Sequence, residues 1–421
     1  MLSLQLFSLA KKHRALNIVK PITQVLLSSF VLASFAAHAD EQDPLNFIVG
    51  VSRMHDDNLF RSAKNEQSED ITAAYAGIRL DKQYAQQRFL FDFTLTENRY
   101  QNFDVLNYNS KNYKAAWLWT LTPFLTGTIS LDRKQTLNSF QDFNPSTGFK
   151  NIRNISVNET QHFEADFSPH NVWHLLGGFT RSTSENSNNS AFVGQNSFVA
   201  NSADAGVRYN FRSGSSVAVM GHVRKGEYTD RQFVAGSAFD NAYNEQEVET
   251  KLDWILSGKS RVNARVAYLS RDDEHMSRWD YSGLVGNIDF TWSPTGKMRV
   301  LLSAASNLSA YQTLDRFSVM DSSYARSTSL GIKPIYSLSS KVTVNAHADV
   351  VKRSFLDGNS LSTGLNNDRI DWTKSAGIGI DWEPLRTISI GGNLERSSRD
   401  SNKDIYDYTD TSASVNANLF F

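Results

Sequence analysis

The residues able to do chemistry in this 421-residue chain are numerous but dispersed. There are 43 Lys and Arg, 44 Asp and Glu, nine His and no cysteine. The absence of cysteine excludes disulfides, thiolate metal sites, cysteine nucleophiles and a lipid anchor on cysteine. No Gly-x-Ser-x-Gly elbow, His-Glu-x-x-His pair or phosphate-binding loop occurs. His162, His174, His222 and His347 fall in strand-like segments that also offer Ser and Asn. A lone His on a polar strand face is usually solvated, so no catalytic role is assigned. No catalytic residue, metal site or cofactor is expected.

The charges have a pattern. Glu247, Glu249, Lys251 and Asp253 occupy every second position, alternating with Val248, Thr250, Leu252 and Trp254. Arg261, Asn263 and Arg265 alternate with Val262, Ala264 and Val266. Side chains two apart share one face of a strand. Arg224, Arg261, Arg265, Arg299, Glu247, Glu249, Asp253, Asp289, Asp349 and Glu395 are therefore expected on polar faces, together with Lys251, Asp92 and Asp132. Two readings fit a wall of mixed sign. One is ion pairing between adjacent strands that stiffens the wall. The other is an arginine-lined path for an anionic polymer, against which the surplus of acids argues.

The elements that would position these residues are β-strands throughout. Val342, Val344, Ala346, Ala348 and Val350 alternate with Thr343, Asn345, His347 and Asp349. Ala413, Val415, Ala417 and Leu419 alternate with Ser414, Asn416 and Asn418 before the chain ends at Phe421. Helical spacing is absent from these segments. Short turn signals recur at Pro123, Pro169, Gly214, Gly258, Pro294, Ser339 and Pro384. Longer polar stretches lie midway between them: 138–154, 184–196, 229–244, 271–278, 312–322, 355–369 and 397–408. Short turns at one rim and long loops at the other describe a transmembrane antiparallel up-and-down β-barrel. The expected count is about 18 strands, with 16 the alternative, because both termini fall on the short-turn side. Apolar residues on one face only cannot make a central core, so the sheet must close with that face toward lipid. A barrel of that size leaves an aqueous lumen unless something fills it. Trp117, Trp119, Trp173, Trp254, Trp292 and Trp382 all lie near short turns, as an interfacial aromatic girdle requires.

Export is written at the N-terminus. Lys11, Lys12, Arg14 and Lys20 precede an apolar run from Val25 to Leu32, and Ala37-His38-Ala39 is a small-x-small cleavage site. Residues 1–39 read as a signal peptide and 40–421 as the barrel. Removing residues 1–39 takes away four basic residues and no acid, which leaves a net charge of −5. That balance argues against nucleic acid as a partner. The mean hydropathy of −0.40 is too polar for a bundle of membrane helices.

One segment is more specific. Asp56-Asp57-Asn58-Leu59-Phe60-Arg61 after a first strand resembles the β-barrel porins of exopolysaccharide gene clusters, in particular the EpsL-type outer-membrane proteins. The terminal Phe421 resembles the C-terminal signal read by the barrel-assembly machinery. The resemblance implies an outer-membrane channel or accessory barrel for export or assembly of an extracellular polysaccharide. Its partners would be outer-membrane lipid, the assembly machinery, a secreted polysaccharide and periplasmic export components. It supplies no catalytic residues. The alternatives from the residues alone are a general diffusion porin for small solutes, or a non-conducting structural barrel or adhesin. The acids and amides of 56–61 could also hold a cation.

Overall fold

The structure is a computed structural model that describes residues 44–141, 153–187, 197–230, 232–233, 240–310, 324–356 and 368–421. The signal segment 1–39 lies outside these residues. The strands are β1 Leu45–Asp56, β2 Glu69–Tyr84, β3 Gln87–Tyr100, β4 Tyr108–Thr122, β5 Leu125–Leu137 and β6 Ile155–Phe167. They continue as β7 Trp173–Asn186, β8 Phe198–Asn210, β9 Ser216–Tyr228, β10 Ala242–Ser257, β11 Ser260–Asp273 and β12 Tyr281–Thr295. The last six are β13 Met298–Ala310, β14 Tyr324–Ser337, β15 Val342–Leu356, β16 Ile370–Leu385, β17 Ile388–Ser401 and β18 Tyr408–Phe420.

Among the described residues these strands form one 18-stranded sheet in sequence order, and β1 also pairs with β18. The barrel is therefore closed, and no strand keeps an unpaired edge. Phe47 and Phe421 exchange both backbone hydrogen bonds at the seam. This closure is what lipid demands, since an unpaired amide in hydrocarbon has no water to turn to.

The alternation decides which way each strand faces. Directly opposed residues share a face. The register links Asp253, Asn263, Asp289, Ser303, Gly331, Asp349, Ser375, Ser397 and Asp410 in one continuous row from β10 to β18. That row is the lumen side. The opposite face carries Val248, Val266, Leu284, Leu330, Ile378 and Val415, all exposed on the outside. Trp117, Trp173, Trp254, Trp292 and Trp382 share that outward face near the short turns. Trp119 is the exception in packing: it is buried, stacked on Phe163 and lying over Gly127.

Five strands run two or more residues into stretches that their polarity marks as loop: β7 continues to Asn186, β10 begins at Ala242, and β11, β15 and β17 continue to Asp273, Leu356 and Ser401, the overlap being longest at β17. These strands project beyond the apolar band at the long-loop end, where water replaces lipid and the outward face need not be apolar. Arg271 and Arg399 are consequently strand residues that face inward.

Candidate functional site

Three layers of the interior matter: the long-loop mouth, the middle of the lumen and the short-turn end.

The mouth is packed. Leu59 and Phe60 enter from the loop 57–68 and meet Tyr100, Leu106 and Phe140. The Phe60 ring is edge-on to both Phe103 and Phe140, each centroid 4.9 Å away. Asn58 ties the loop down: its side chain donates to the carbonyls of Ser62 and Thr409 at 2.9 Å, while its Oδ1 accepts from Ser62 N–H. Arg61, with φ of 52°, bridges Asp56 at 2.9 Å and Asp410 at 3.0 Å. Burial alone would lower the Arg61 pKa, but the hydrogen bond to Asp56 and the charges of Asp56 and Asp410 outweigh it and raise it. The family-like segment is thus a folded plug of the rim, and every one of its residues from Asp56 to Arg61 has a packing or bonding role.

Carboxylates clamp neighbouring loops. Glu69 is fully buried and accepts backbone N–H bonds from Asp70, Gln101, Asn102 and Phe103. Asp240 does the same between two loops, accepting from Asn241, His275 and Met276 backbone N–H groups and meeting the His275 ring at 3.0 Å. Burial would push the Asp240 carboxyl up, yet the side-chain and backbone bonds from His275 hold it below its ordinary value.

A recurrent device builds the rest of the rim. Leu106-Asn107-Tyr108, Trp279-Asp280-Tyr281 and Tyr406-Asp407-Tyr408 each close a short 3-10 turn with a buried apolar residue. In each, the Asn or Asp side chain accepts the backbone N–H of a preceding strand end: Tyr100, Asp273 and Ser401. The following Tyr starts a descending strand. Arginines stack on such rings: Arg271 on Tyr243 and Arg369 on Tyr406, both at 3.5 Å. The stacking fits the preference of a guanidinium for an aromatic face. This apolar–Asn/Asp–Tyr triplet is a sequence repeat that the strand rhythm hides, and it marks the mouth better than loop polarity does.

The middle of the lumen is polar and charged. A cavity of about 1040 Å³ is lined by residues from β3 to β12, among them His162, Asp204, His222, Arg224, Lys251 and Arg265. Register places all ten expected residues, Arg224, Arg261, Arg265, Arg299, Glu247, Glu249, Asp253, Asp289, Asp349 and Glu395, on the lumen face. They do not form one cluster. On β9–β11, Glu249 accepts from His222 at 2.8 Å, Lys251 at 2.6 Å and Arg265 at 2.5 Å. Arg265 also pairs with Glu247, Arg224 with Glu245 at 2.6 Å, and Arg261 with Asp253. Each cation of this wall therefore has its own acid, and no arginine is left over for a bound anion.

The wall from β14 to β18 is different. Gly331, Gly377, Gly379 and Gly391 face the lumen beside Asp349, His347, Asn345 and Asn416, whose side chains lie flat over them. A side chain at Gly331 would collide with the Asp349 carboxylate. The polar groups stay low on the wall because the glycines leave room. Asp289, Asp349 and Asp381 on β12–β16 make no ion pair among the described residues, and Lys333 and Arg299 likewise have none.

At the short-turn end, Asp166, His174 and Ser168 fall in the order of a nucleophilic triad. His174 Nδ1 is 2.6 Å from Asp166 Oδ1, and Nε2 is 3.3 Å from Ser168 Oγ. Asn210 Nδ2 donates to the same Nε2 at 2.7 Å and so takes the lone pair that would activate the serine. Arg208 completes the group by pairing with Asp166 at 2.5 Å. The arrangement cross-links β6, β7 and β8 rather than preparing a base.

Comparison with known proteins agrees with this architecture. No protein-family model matches the sequence, and no curated protein matches it. The structure is similar to the solved structures of Pseudomonas aeruginosa OccK1 (OpdK), OccK2 (OpdF) and OccK9 (OpdG). Each likeness has a TM-score of 0.50 and covers 90% of this chain. The matches cover 99%, 97% and 98% of those chains at 10%, 11% and 12% identity. At such identity the likeness concerns the fold. It matches the porin half of the resemblance drawn above and adds nothing for the exopolysaccharide half. The chain has the closed 18-stranded antiparallel architecture of an outer-membrane porin barrel.

Proposed function

We propose that this protein is an outer-membrane diffusion porin for small hydrophilic solutes. The observation that carries the reading is the lumen itself: a polar cavity of about 1040 Å³ against a charged wall, facing a second wall kept low by glycines. Pores that bind solute weakly at several polar sites conduct better than pores with one tight site. The likeness to OccK1 (OpdK) and OccK2 (OpdF), solved with vanillate and with glucuronate respectively, supports a pore for small molecules. On this reading the ten lumen residues tune which solutes pass. The β9–β11 wall is self-neutralised; on β12–β16 the acids without an ion pair among the described residues, Asp289, Asp349 and Asp381, outnumber Lys333 and Arg299 by one, and that surplus biases passage toward cations. Phe421, bonded to Phe47 across the seam, serves as the assembly signal.

The polysaccharide-export reading rests on Asp56–Arg61, whose residues the packing of the rim already employs. Deleting the gene is therefore expected to leave secreted polysaccharide unchanged. Planar-bilayer recording tests the porin reading. Sustained conductance is expected, with a reversal potential favouring K+ over Cl− under a salt gradient. A protein that inserts folded yet never conducts would instead be a structural barrel, and the proposal would fail.

A further inference from the structure

We propose that the rim where β1 meets β18 holds a divalent cation of calcium type, ligated by Asp56, Asp57 and Asp410. The three carboxylates come from the last residue of β1, the first of the following loop and the start of β18, and ligand atoms from all three lie within 4.8 Å of one another. Asp56 and Asp410 are buried. The cluster is more than a group of acids. The Asp410 side chain is only 6% exposed, and its Oδ1 is buried with no hydrogen-bond partner. An unsatisfied carboxylate oxygen away from water is costly, and natural structures seldom tolerate one without an ion or a donor.

The bonding that is present shows which edge is open. Asp56 uses Oδ1 for the Asn58 N–H and for Arg61. Asp57 uses Oδ1 for the Thr411 N–H. Asp410 gives Oδ2 to Arg61. One oxygen of each carboxylate is thus left over, and Arg61 supplies one positive charge against three negative ones. Glu395 adds to the deficit, because the register sets it opposite Ser412, which is itself opposite Asp56. Hard, anionic oxygen donors of this number suit calcium, which accepts irregular oxygen coordination; magnesium demands a stricter octahedron and keeps more of its water. The ion would staple the first strand to the last at the one seam of the barrel that joins the two ends of the chain.

The test uses the mature barrel refolded in detergent and stripped with EDTA. Tb3+, a calcium-sized probe, is titrated while luminescence is excited through tyrosine; Tyr408 lies two residues from Asp410 on the same strand. A saturable signal is expected, displaced by Ca2+ and weakened at least tenfold in Asp57→Asn. That variant keeps the oxygen that accepts the Thr411 N–H and replaces the free one with an NH2 group that cannot ligate a cation, and heat-modifiable electrophoretic mobility reports whether it has folded. Asp410→Asn provides a second variant. Ca2+ is also expected to raise the unfolding midpoint of the unsubstituted barrel, which needs no variant at all. The proposal is overturned by the lack of a saturable signal, by a signal unchanged in both variants, or by loss of signal in Glu249→Gln instead. The last outcome would place the ion at the lumen group His222, Glu247 and Glu249, the other trio of close metal-competent side chains among the described residues.

Discussion

Glu69 at the mouth and Glu249 in mid-lumen are both buried carboxylates, but their surroundings differ in kind. Glu69 is satisfied by backbone N–H groups of a loop it fixes. Glu249 is satisfied by the side chains of Lys251, Arg265 and His222. The difference separates the two regions. At the mouth, polar groups serve the shape of loops, so removing one leaves amides stranded. In the lumen, charged side chains neutralise one another at the edge of water, so removing one chiefly changes the field that a solute meets. Backbone amides cannot move to water without unfolding the loop; lysine and arginine side chains can.

The sharpest way to break this comparison is Glu69→Ala. Leaving these four part-buried amides without an acceptor costs less per group than the about 1–3 kcal/mol of a fully enclosed one, because water reaches Gln101 and Asn102, and about 3–4 kcal/mol in all is expected. The loop 101–107 should become sensitive to protease, while conductance through the folded barrel persists. An unchanged unfolding midpoint would show that the mouth is not built on Glu69. Phe60→Ala comes next. It opens a cavity among Tyr100, Leu106 and Phe140 and should cost about 3 kcal/mol, at the low end for a buried aromatic because one side of the rim can relax. Denaturant midpoints in lipid vesicles read both effects.

On the lumen side, Gly331→Val forces Asp349 off the wall. Overpacking of this sort costs about 1–2 kcal/mol. Its main consequence should be a smaller single-channel conductance, because the displaced carboxylate projects into the pore. Glu249→Gln should cost about 1 kcal/mol, since Glu247 still pairs with Arg265 and Lys251 can turn to water. It frees positive charge in mid-lumen, so the K+ over Cl− preference is expected to fall roughly twofold. A large loss of stability with no change of selectivity would erase the distinction between the two regions.

The smallest expected effect concerns pH. Asp240 is held below its ordinary pKa of 3.8 by His275. A carboxyl depressed in the folded state contributes stability that is complete above its unfolded pKa and is lost as pH falls through the folded one. The tie between the loops around Asp240 and His275 should therefore hold at pH 6 and loosen only below about pH 3.8, read as protease sensitivity of that rim. Loosening already near pH 6 would show that the Asp240 carboxylate is not what holds these loops together.

Much of this was legible in the residue order. Val342–Val350 shows a strand with one lipid face and one water face, and the spacing of the short turns gives the strand count. The lumen side of Glu247, Glu249 and Asp253 follows from parity alone, since a strand offers only two faces. The ends of β11 and β17 were not legible in the same way. Arg271 and Arg399 look like loop residues because the polarity rule weakens once a strand leaves lipid. The Asn/Asp–Tyr triplets could have marked those ends.

The sequence by itself determined the architecture, because alternation is local and a bilayer admits only one way to satisfy every amide of such a chain. Only the tertiary structure decided what the polar residues do. It paired Arg224, Arg261 and Arg265 with acids on neighbouring strands, folded Asp56–Arg61 into the rim, and brought Asp410 from one end of the chain beside Asp56 and Asp57 from the other. Those partners are set by register and closure, and contacts between residues hundreds of positions apart are not written in the period of any one strand.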